Sequence, residues 1–372
     1  MQMIRAVTCG GILAGGMLAG GAAMAATVNT SAGAMEITQI ADGFDEPWGL
    51  AFLPDGAALV TERDGRLTLL EGEQRRDISG LPEVVAEGQG GLLDVLVPGD
   101  FAQSRTIWLS YAGAVEGGVA TIAGRGRLSE DASRIEDFTP VFAAEGYRGG
   151  RHFGARLVEA EDGTVFLTTG DRGTGPKGMQ AQEIGRAAGK VIRLNRDGSP
   201  AVQLEGALPG VHSVGHRNIQ GAALDLAGRL LTVEHGAQGG DELNRPEEGR
   251  NYGWPVISYG VNYNDAKIGE GTAKEGMEQP LHYWDPSIAP SGLMVYSGAL
   301  VPDWRGDIFT GSLNTGFISR LDPDSPAATG YAEERIESDE TGRVRDIVEG
   351  PDGAIWFLSV IDGAIYRMAP PD

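Results

Sequence analysis

Asp162-Gly163-Thr164-Val165-Phe166-Leu167-Thr168-Thr169-Gly170-Asp171 sets the pattern for the whole chain. An Asp-Gly turn leads into a run of β-branched and aromatic residues, which ends at a glycine and a carboxylate. Runs of the same kind occur at Leu59-Val60-Thr61-Glu62, after Pro54-Asp55-Gly56, and at Ile107-Trp108-Leu109-Ser110-Tyr111. They return at Leu230-Leu231-Thr232-Val233-Glu234-His235, at Ile308-Phe309-Thr310-Gly311-Ser312 and at Ile355-Trp356-Phe357-Leu358. Several are followed by a second strand pattern, as at Arg66–Leu70, Lys190–Leu194, Gly316–Leu321 and Gly363–Met368, so each pair reads as a hairpin. The six runs start at residues 59, 107, 165, 230, 308 and 355. Their spacing is at or above the length of about 40–50 residues typical of a propeller blade. The fold class expected is all-β: a six-bladed β-propeller of four-stranded antiparallel blades, with Glu36-Ile37-Thr38-Gln39-Ile40 joining the last blade to close the ring. A two-sheet sandwich is the alternative that the same strands allow.

Composition agrees with this reading. The chain has 58 glycines and no low-complexity run to absorb them, which implies many tight turns. Residues 1–25 read as a signal peptide: Arg5, an apolar and glycine-rich stretch from Ala6 to Gly21, then an Ala23-Met24-Ala25 cleavage site. Residues 26–372 are then a single propeller domain of an exported, periplasmic or secreted protein. The one cysteine, Cys9, lies in the leader, so the mature chain has no disulfide, iron–sulfur cluster or thiolate nucleophile. No later segment is apolar enough to span a bilayer. A net charge of −22 argues against nucleic acid and anionic membranes as partners and is compatible with cation binding. There is no G-x-S-x-G elbow, P-loop or dinucleotide fingerprint after a strand.

In a propeller the longer connections gather at one end of the central channel, so the residues just past the repeated strands are the ones to examine. Five segments stand out. Glu87-Gly88-Gln89-Gly90-Gly91 has glycines that let backbone approach a ligand, or simply a turn. Gly149-Gly150-Arg151-His152-Phe153-Gly154 holds one of only five histidines, flanked by Arg148 and Arg151. Neighbouring cations depress an imidazole pKa and favour a neutral base, while a surface histidine in a loop is the plain alternative. Asp171 stands where a carboxylate can orient a base, and where turn aspartates are common. Gly215-His216-Arg217-Asn218, Glu234-His235-Gly236, Asp241-Glu242 and Asn251-Tyr252-Gly253-Trp254-Pro255 form the richest group. Arg and Asn suit a carbonyl-rich anion, and Asp241 and Glu242 offer hard oxygen ligands for calcium. The spacing of His216 and His235 gives little support to zinc. In Gly342-Arg343-Val344-Arg345-Asp346, strand alternation puts Arg343 and Arg345 on one face, either around an anion or in solvent.

These segments, in this order, resemble the soluble quinoprotein glucose and aldose sugar dehydrogenases. The resemblance runs from Glu46-Pro47-Trp48-Gly49-Leu50 to Arg345-Asp346-Ile347. It implies a propeller enzyme that oxidises the anomeric carbon of an aldose to a lactone by hydride transfer to pyrroloquinoline quinone, with calcium and a separate external electron acceptor. The family's catalytic base falls on His152, its supporting aspartate on Asp171, and its quinone-polarising arginine on Arg217. Cofactor contacts fall on Gln89, Arg217, Asn218, Arg343 and Arg345. The calcium loop falls on Gly236 and Ala237, with Glu242 and Tyr252 nearby, and the tryptophan lining the substrate mouth falls on Trp284. The chain departs from the pattern at Asn314, where glucose dehydrogenases of the family carry a lysine, and at Ala237, where a proline is common. The loops that dimerise the glucose enzyme look short here, which favours the aldose type and a monomer. A calcium-dependent propeller lactonase or hydrolase, and a non-catalytic carbohydrate- or protein-binding propeller, are the competing functions. Arg343 and Arg345 weigh against the first, and Asn314 keeps the second open.

Overall fold

The computed structural model describes residues 25–173 and 178–371. The leader expected at residues 1–25 therefore lies outside the described residues, apart from Ala25. β1 (Ala26–Thr30) and β2 (Gly33–Ala41) form an N-terminal hairpin. Blade one is β3 (Pro47–Phe52), β4 (Ala58–Glu62), β5 (Arg66–Glu71) and β6 (Gln74–Asp77). Blade two is β7 (Leu92–Leu96), β8 (Thr106–Val115), β9 (Gly118–Leu128) and β10 (Ile135–Ala143). Blade three is β11 (Gly154–Glu159), β12 (Val165–Thr169), β13 (Lys190–Leu194) and β14 (Val211–Val214). Blade four is β15 (Ile219–Leu224), β16 (Leu230–Glu234), β17 (Asp241–Asn244) and β18 (His282–Trp284). Blade five is β19 (Pro290–Val295), β20 (Ile308–Ser312), β21 (Ile318–Ala327) and β22 (Gly330–Ile336). Blade six is β23 (Val344–Glu349), β24 (Ile355–Ser359) and β25 (Ala364–Ala369), completed by β2 and edged by β1. The fold is the expected six-bladed propeller, and β2 pairs with β25 to close it.

Each of the six recurring runs is the second strand of a blade. β4, β12, β16 and β20 are buried at every position because neighbouring blades cover both faces. Their sequences therefore do not alternate apolar with exposed polar residues, and the polar ones among them, such as Thr61, Thr168 and Glu234, are buried too. The hydroxyls within them join one blade to the next. Gly49 N–H donates to Thr61 Oγ1 (2.8 Å), and Thr61 donates on to Leu93 O (2.5 Å). Asp94 N, Ser110 and Ala155 O repeat the relay, as do Arg156 N, Thr168 and Ile219 O.

All six first strands carry a register shift near their start: Pro47/Leu50, Leu92/Val95, Gly154/Leu157, Ile219/Gly221, Pro290/Leu293 and Val344/Asp346. A bulge re-aims the side chain at its centre. Asp94, Arg156, Gln220 and Arg345 all come from these bulges. Arg156 bridges Asp94 and Asp346 at 3.0 Å each and donates to Gln220 O (2.8 Å) and Arg345 O (3.2 Å). This buried cluster spans blades two, three, four and six around the axis.

Candidate active site

In four antiparallel strands, the second and the fourth end at the same end of the blade. Each second-to-third connection and each lead-in to the next first strand therefore meet at one end of the ring. Asp171, the His235–Gly240 loop and Asn314 follow second strands. Gln89, His152, Arg217 and Arg343 precede first strands. Topology alone thus converges segments that are far apart in sequence.

His152 Nδ1 lies 2.5 Å from Asp171 Oδ1. The carboxylate is 0% exposed and the imidazole residue 8%. With Nδ1–H donated to Asp171, Nε2 is the ring's acceptor nitrogen. The His152 backbone is left-handed (φ 51°) and is held by its neighbours. Gln89 Oε1 accepts the His152 N–H at 2.7 Å, and Gln89 N–H donates to Gly150 O. Gly88 permits this contact, because a Cβ there would stand 2.3 Å from Gly150 O. Arg172 stacks on Phe153 (3.6 Å) and donates to Arg151 O and Gly149 O. Burial, then Arg217 and Arg151, hold His152 below the ordinary histidine value, against the upward pull of Asp171. Burial pushes the Asp171 carboxyl up, but His152, Arg217 and the Gly173 N–H outweigh it and keep it below the usual range. The pair is therefore a carboxylate and a neutral imidazole.

Arg217 is buried, and its N–H donates to Glu234 Oε2 (2.5 Å). Its guanidinium donates to His235 O (3.1 Å) and reaches Tyr263 Oη (3.4 Å), and Nε is buried without a partner. Glu234 is itself held by His216 Nδ1 and Asn244 Nδ2, and His216 contacts Ser213 and stacks on Tyr252. A cavity of about 490 Å³ is lined by Gln89, Arg151, His152, Arg217, Trp254 and Tyr263, among others. A second cavity of about 510 Å³ shares Ala237 and Tyr263 with it and includes His235, Gly236, Ser287 and Asn314. Tyr263 is 70% exposed between them.

The remaining expected residues are placed unevenly. Asn218 is adjacent to Arg217 but faces inward, its Oδ1 accepting from Gly154 N (3.2 Å). Asn314 is exposed and lies 3.4 Å from Ser287 O. Arg343 precedes β23 with φ 51°, so strand alternation does not relate it to Arg345; it donates to Leu313 O. Arg345 donates to Gln220 Oε1 (3.1 Å), and burial followed by Arg343, Arg156 and Arg63 pushes it down to about 9. Trp284 does not line a mouth. It is the last residue of an outer strand, buried among Leu243, Ile288, Leu293 and Phe317, and donates to Glu333 (3.0 Å). Asp241 is also not available as a ligand, because Gly236 N, Ser287 Oγ, Ile288 N and Ala289 N occupy its carboxylate. Glu242 accepts from Asn244 (3.0 Å), and burial followed by Glu234 and Asp241 pushes it up to about 8. Tyr252 donates to Arg245 O and accepts from Glu247 N. Among the described residues, no three His, Cys, Asp or Glu side chains are grouped to hold a metal ion. His216 and His235 do not share a site: His216 faces Glu234, and His235 Nε2 faces Pro290 O (2.8 Å).

Residues 44–367 match the family model described as glucose/sorbosone dehydrogenase. The chain belongs to that family. Aldose sugar dehydrogenase YliI of Escherichia coli (strain K12) is 39% identical over 359 residues, 93% of this chain and 94% of that protein. Quinoprotein glucose dehydrogenase B of Acinetobacter calcoaceticus is 26% identical over 402 residues, 86% of this chain and 84% of that one. The crystal structure of the soluble aldose sugar dehydrogenase from Escherichia coli, in its apo-form, has a TM-score of 0.84 at 38% identity, covering 91% of this chain and 100% of that one. The glucose/sorbosone dehydrogenase match takes in every strand from β3 to β24 and leaves β1 and β2 outside.

Three features of the dehydrogenase site escaped the sequence reading. Trp254 stands in sequence as one residue of the Asn251–Pro255 segment, yet its Nε1 donates to Asp171 Oδ2 (2.8 Å). Lys190 is a strand residue in sequence, but its buried ammonium binds the carbonyls of Gln180, Ala181 and Ala188. Burial pushes it down to about 7. It anchors the loop whose Gln180 donates to Asp171 O. The Asp94–Arg156–Asp346 cluster depends on the bulges, and a bulge has no dependable mark in a single sequence.

Proposed function

We propose that this protein is a periplasmic, monomeric quinoprotein that oxidises the anomeric carbon of aldose sugars to lactones, passing electrons to a separate acceptor. The contact that carries the proposal is His152 Nδ1 to Asp171 Oδ1 at 2.5 Å beside a cation-lined cavity. The names of the relatives support the substrate class and the quinone.

The residues present fit an anionic, carbonyl-rich cofactor. Arg217 Nε is buried without a partner, and Arg345 is depressed by burial and by three neighbouring arginines, so the site is short of negative charge. Pyrroloquinoline quinone would be held by Arg217, Arg343 and Arg345, with Gln89, Asn218 and Asn314 at its margins, and when bound it would supply a carbonyl-type acceptor for the hydride, which carries both electrons. Calcium would draw on the Gly236 and Ala237 carbonyls with Glu242 and Tyr252 nearby. The raised Glu242 carboxyl, next to Glu234, is what an adjacent divalent cation would ionise. His152 Nε2 takes the proton of the anomeric hydroxyl, and Asp171 holds the ring and stabilises its positive charge. Arg217 stabilises negative charge developing across the cavity from the base.

Purified protein supplied with pyrroloquinoline quinone and calcium is expected to bleach a redox dye when an aldose is added. His152→Ala is expected to bind the quinone and lose turnover. Absence of bleaching across aldoses and simple alcohols would sink the reading, and substantial turnover by His152→Ala would remove His152 from the role of base.

A further inference from the structure

One indole joins the parts of this site. Trp254 lies in the excursion between β17 and β18, and its backbone is tied at both sides: its N–H donates to Gly215 O (2.8 Å) and its carbonyl accepts from Gln182 Nε2 (2.7 Å). The ring is buried against Ala181, Ala237 and Ile268, and its other side lines the cavity that holds His152. The Arg217 guanidinium lies 5.2 Å from its centre. An indole N–H only donates, so a buried one needs an acceptor. Here the acceptor is Asp171 Oδ2 at 2.8 Å, while His152 and the Gly173 N–H hold Oδ1 at 2.5 and 2.8 Å. Three donors in different directions determine the rotation of a carboxylate that is itself 0% exposed.

We propose that Trp254 is a positioning residue of this site: its indole N–H orients Asp171 toward His152 and limits how strongly that carboxylate raises the basicity of the imidazole. The inference rests on the reading of His152 as the base. A carboxylate whose second oxygen accepts a hydrogen bond is a weaker partner for the imidazolium, and the positive end of the N–H dipole adds a small repulsion. Removing that donor alone therefore raises the His152 pKa. The other charged groups around the dyad are Arg151 on the His152 loop, Arg172 beside Asp171, and Arg217 from the lead-in to blade four, with His235 and Arg345 beyond Arg217. A phenylalanine at 254 leaves all of them in place.

Trp254→Phe keeps a ring under Arg217 and removes the donor. The first readout needs no activity: His152 is titrated by NMR in protein without added cofactor, the other four histidines serving as internal controls. The His152 midpoint is expected to rise by about one pH unit, with the chain folded. In protein supplied with quinone and calcium, the acid limb of kcat/KM is expected to move up in parallel, because the base must be unprotonated, and kcat to fall about tenfold. If Trp254→Phe does not fold, benzothienylalanine at 254, an isostere with sulfur in place of N–H, makes the same comparison. An unmoved His152 midpoint in a folded variant overturns the inference, even if activity falls. A moved midpoint in a protein that oxidises no sugar supports the inference and defeats the functional reading alone.

Discussion

Asp171 pays for its burial with hydrogen bonds from His152, Gly173 and Trp254, and these leave it ionised next to a neutral base. Asp171→Asn keeps the shape but offers an amide where the imidazole needs an anion. kcat is expected to fall by about 10²–10⁴-fold. Asp171 raises the His152 pKa, so its neutralisation moves the acid limb of kcat/KM to lower pH, the opposite of Trp254→Phe. A pH–rate profile of the two variants side by side checks both signs. His152 and Asp171 were legible as chemistry-bearing residues because each follows or precedes a strand pattern at a glycine turn. Trp284 entered only through the family resemblance, and no feature of its own segment shows that the outer strand β18 buries it.

At the scale of the element, the bulge at the start of each first strand matters most for the site. It turns Asp94 and Arg156 inward, and Arg156 then satisfies two carboxylates that face each other across the axis. Burial, opposed by Arg156 and reinforced by Asp346, pushes Asp94 up to about 6. Gly292 leaves room for the cluster, since a Cβ there would lie 2.2 Å from Asp346 Oδ1. Arg156→Met removes the cation and leaves both carboxyls buried. Urea denaturation is expected to show a loss of about 3–5 kcal/mol. A loss under about 1 kcal/mol would mean that water reaches the axis and screens the carboxyls. The second strands were the most legible elements, because burial on both faces demands an unbroken β-type run. The third strands of blades two and four, and the outer strands of blades one to five, carry weaker patterns that a single sequence does not mark.

For the whole molecule, closure comes from β2, which pairs with β25, and from the β1–β2 turn, where Ser31 reaches Glu334 (2.6 and 2.7 Å) and Arg320 (3.0 Å) of blade five. The assembled ring also buries its histidines. Burial pushes His212 and His282 down to about 4 and His235 to about 3, and His152 shifts the same way. Below about pH 6.5 the unfolded chain takes up protons that the folded chain refuses, so this stability is present above that pH and is lost as pH falls toward 4. Asp94 and Glu242, raised to about 6 and about 8, act in the opposite sense and remove stability as pH rises through those values. On the acid side, carboxyls held below the usual range by hydrogen bonds and neighbouring cations, among them Asp171, Asp225 and Glu334, act in the same sense as the histidines. The urea midpoint of protein without added calcium is therefore expected to fall as pH is lowered from 6.5 toward 4.5, and a midpoint still rising at pH 4.5 would contradict these burials. The sequence by itself determined the repeat, the second strands and the closing β2 strand, since local burial and turn chemistry are written along the chain. It also placed His152, Asp171 and Arg217 among the residues to test. Only the tertiary structure decided which of the turn-flanking polar residues meet. Trp254 and Asp171 are brought into contact across blades, Trp284 and Asp241 are taken out of the site, and Arg156 is placed on the axis. Those contacts depend on ring geometry and bulge positions, which no local pattern encodes.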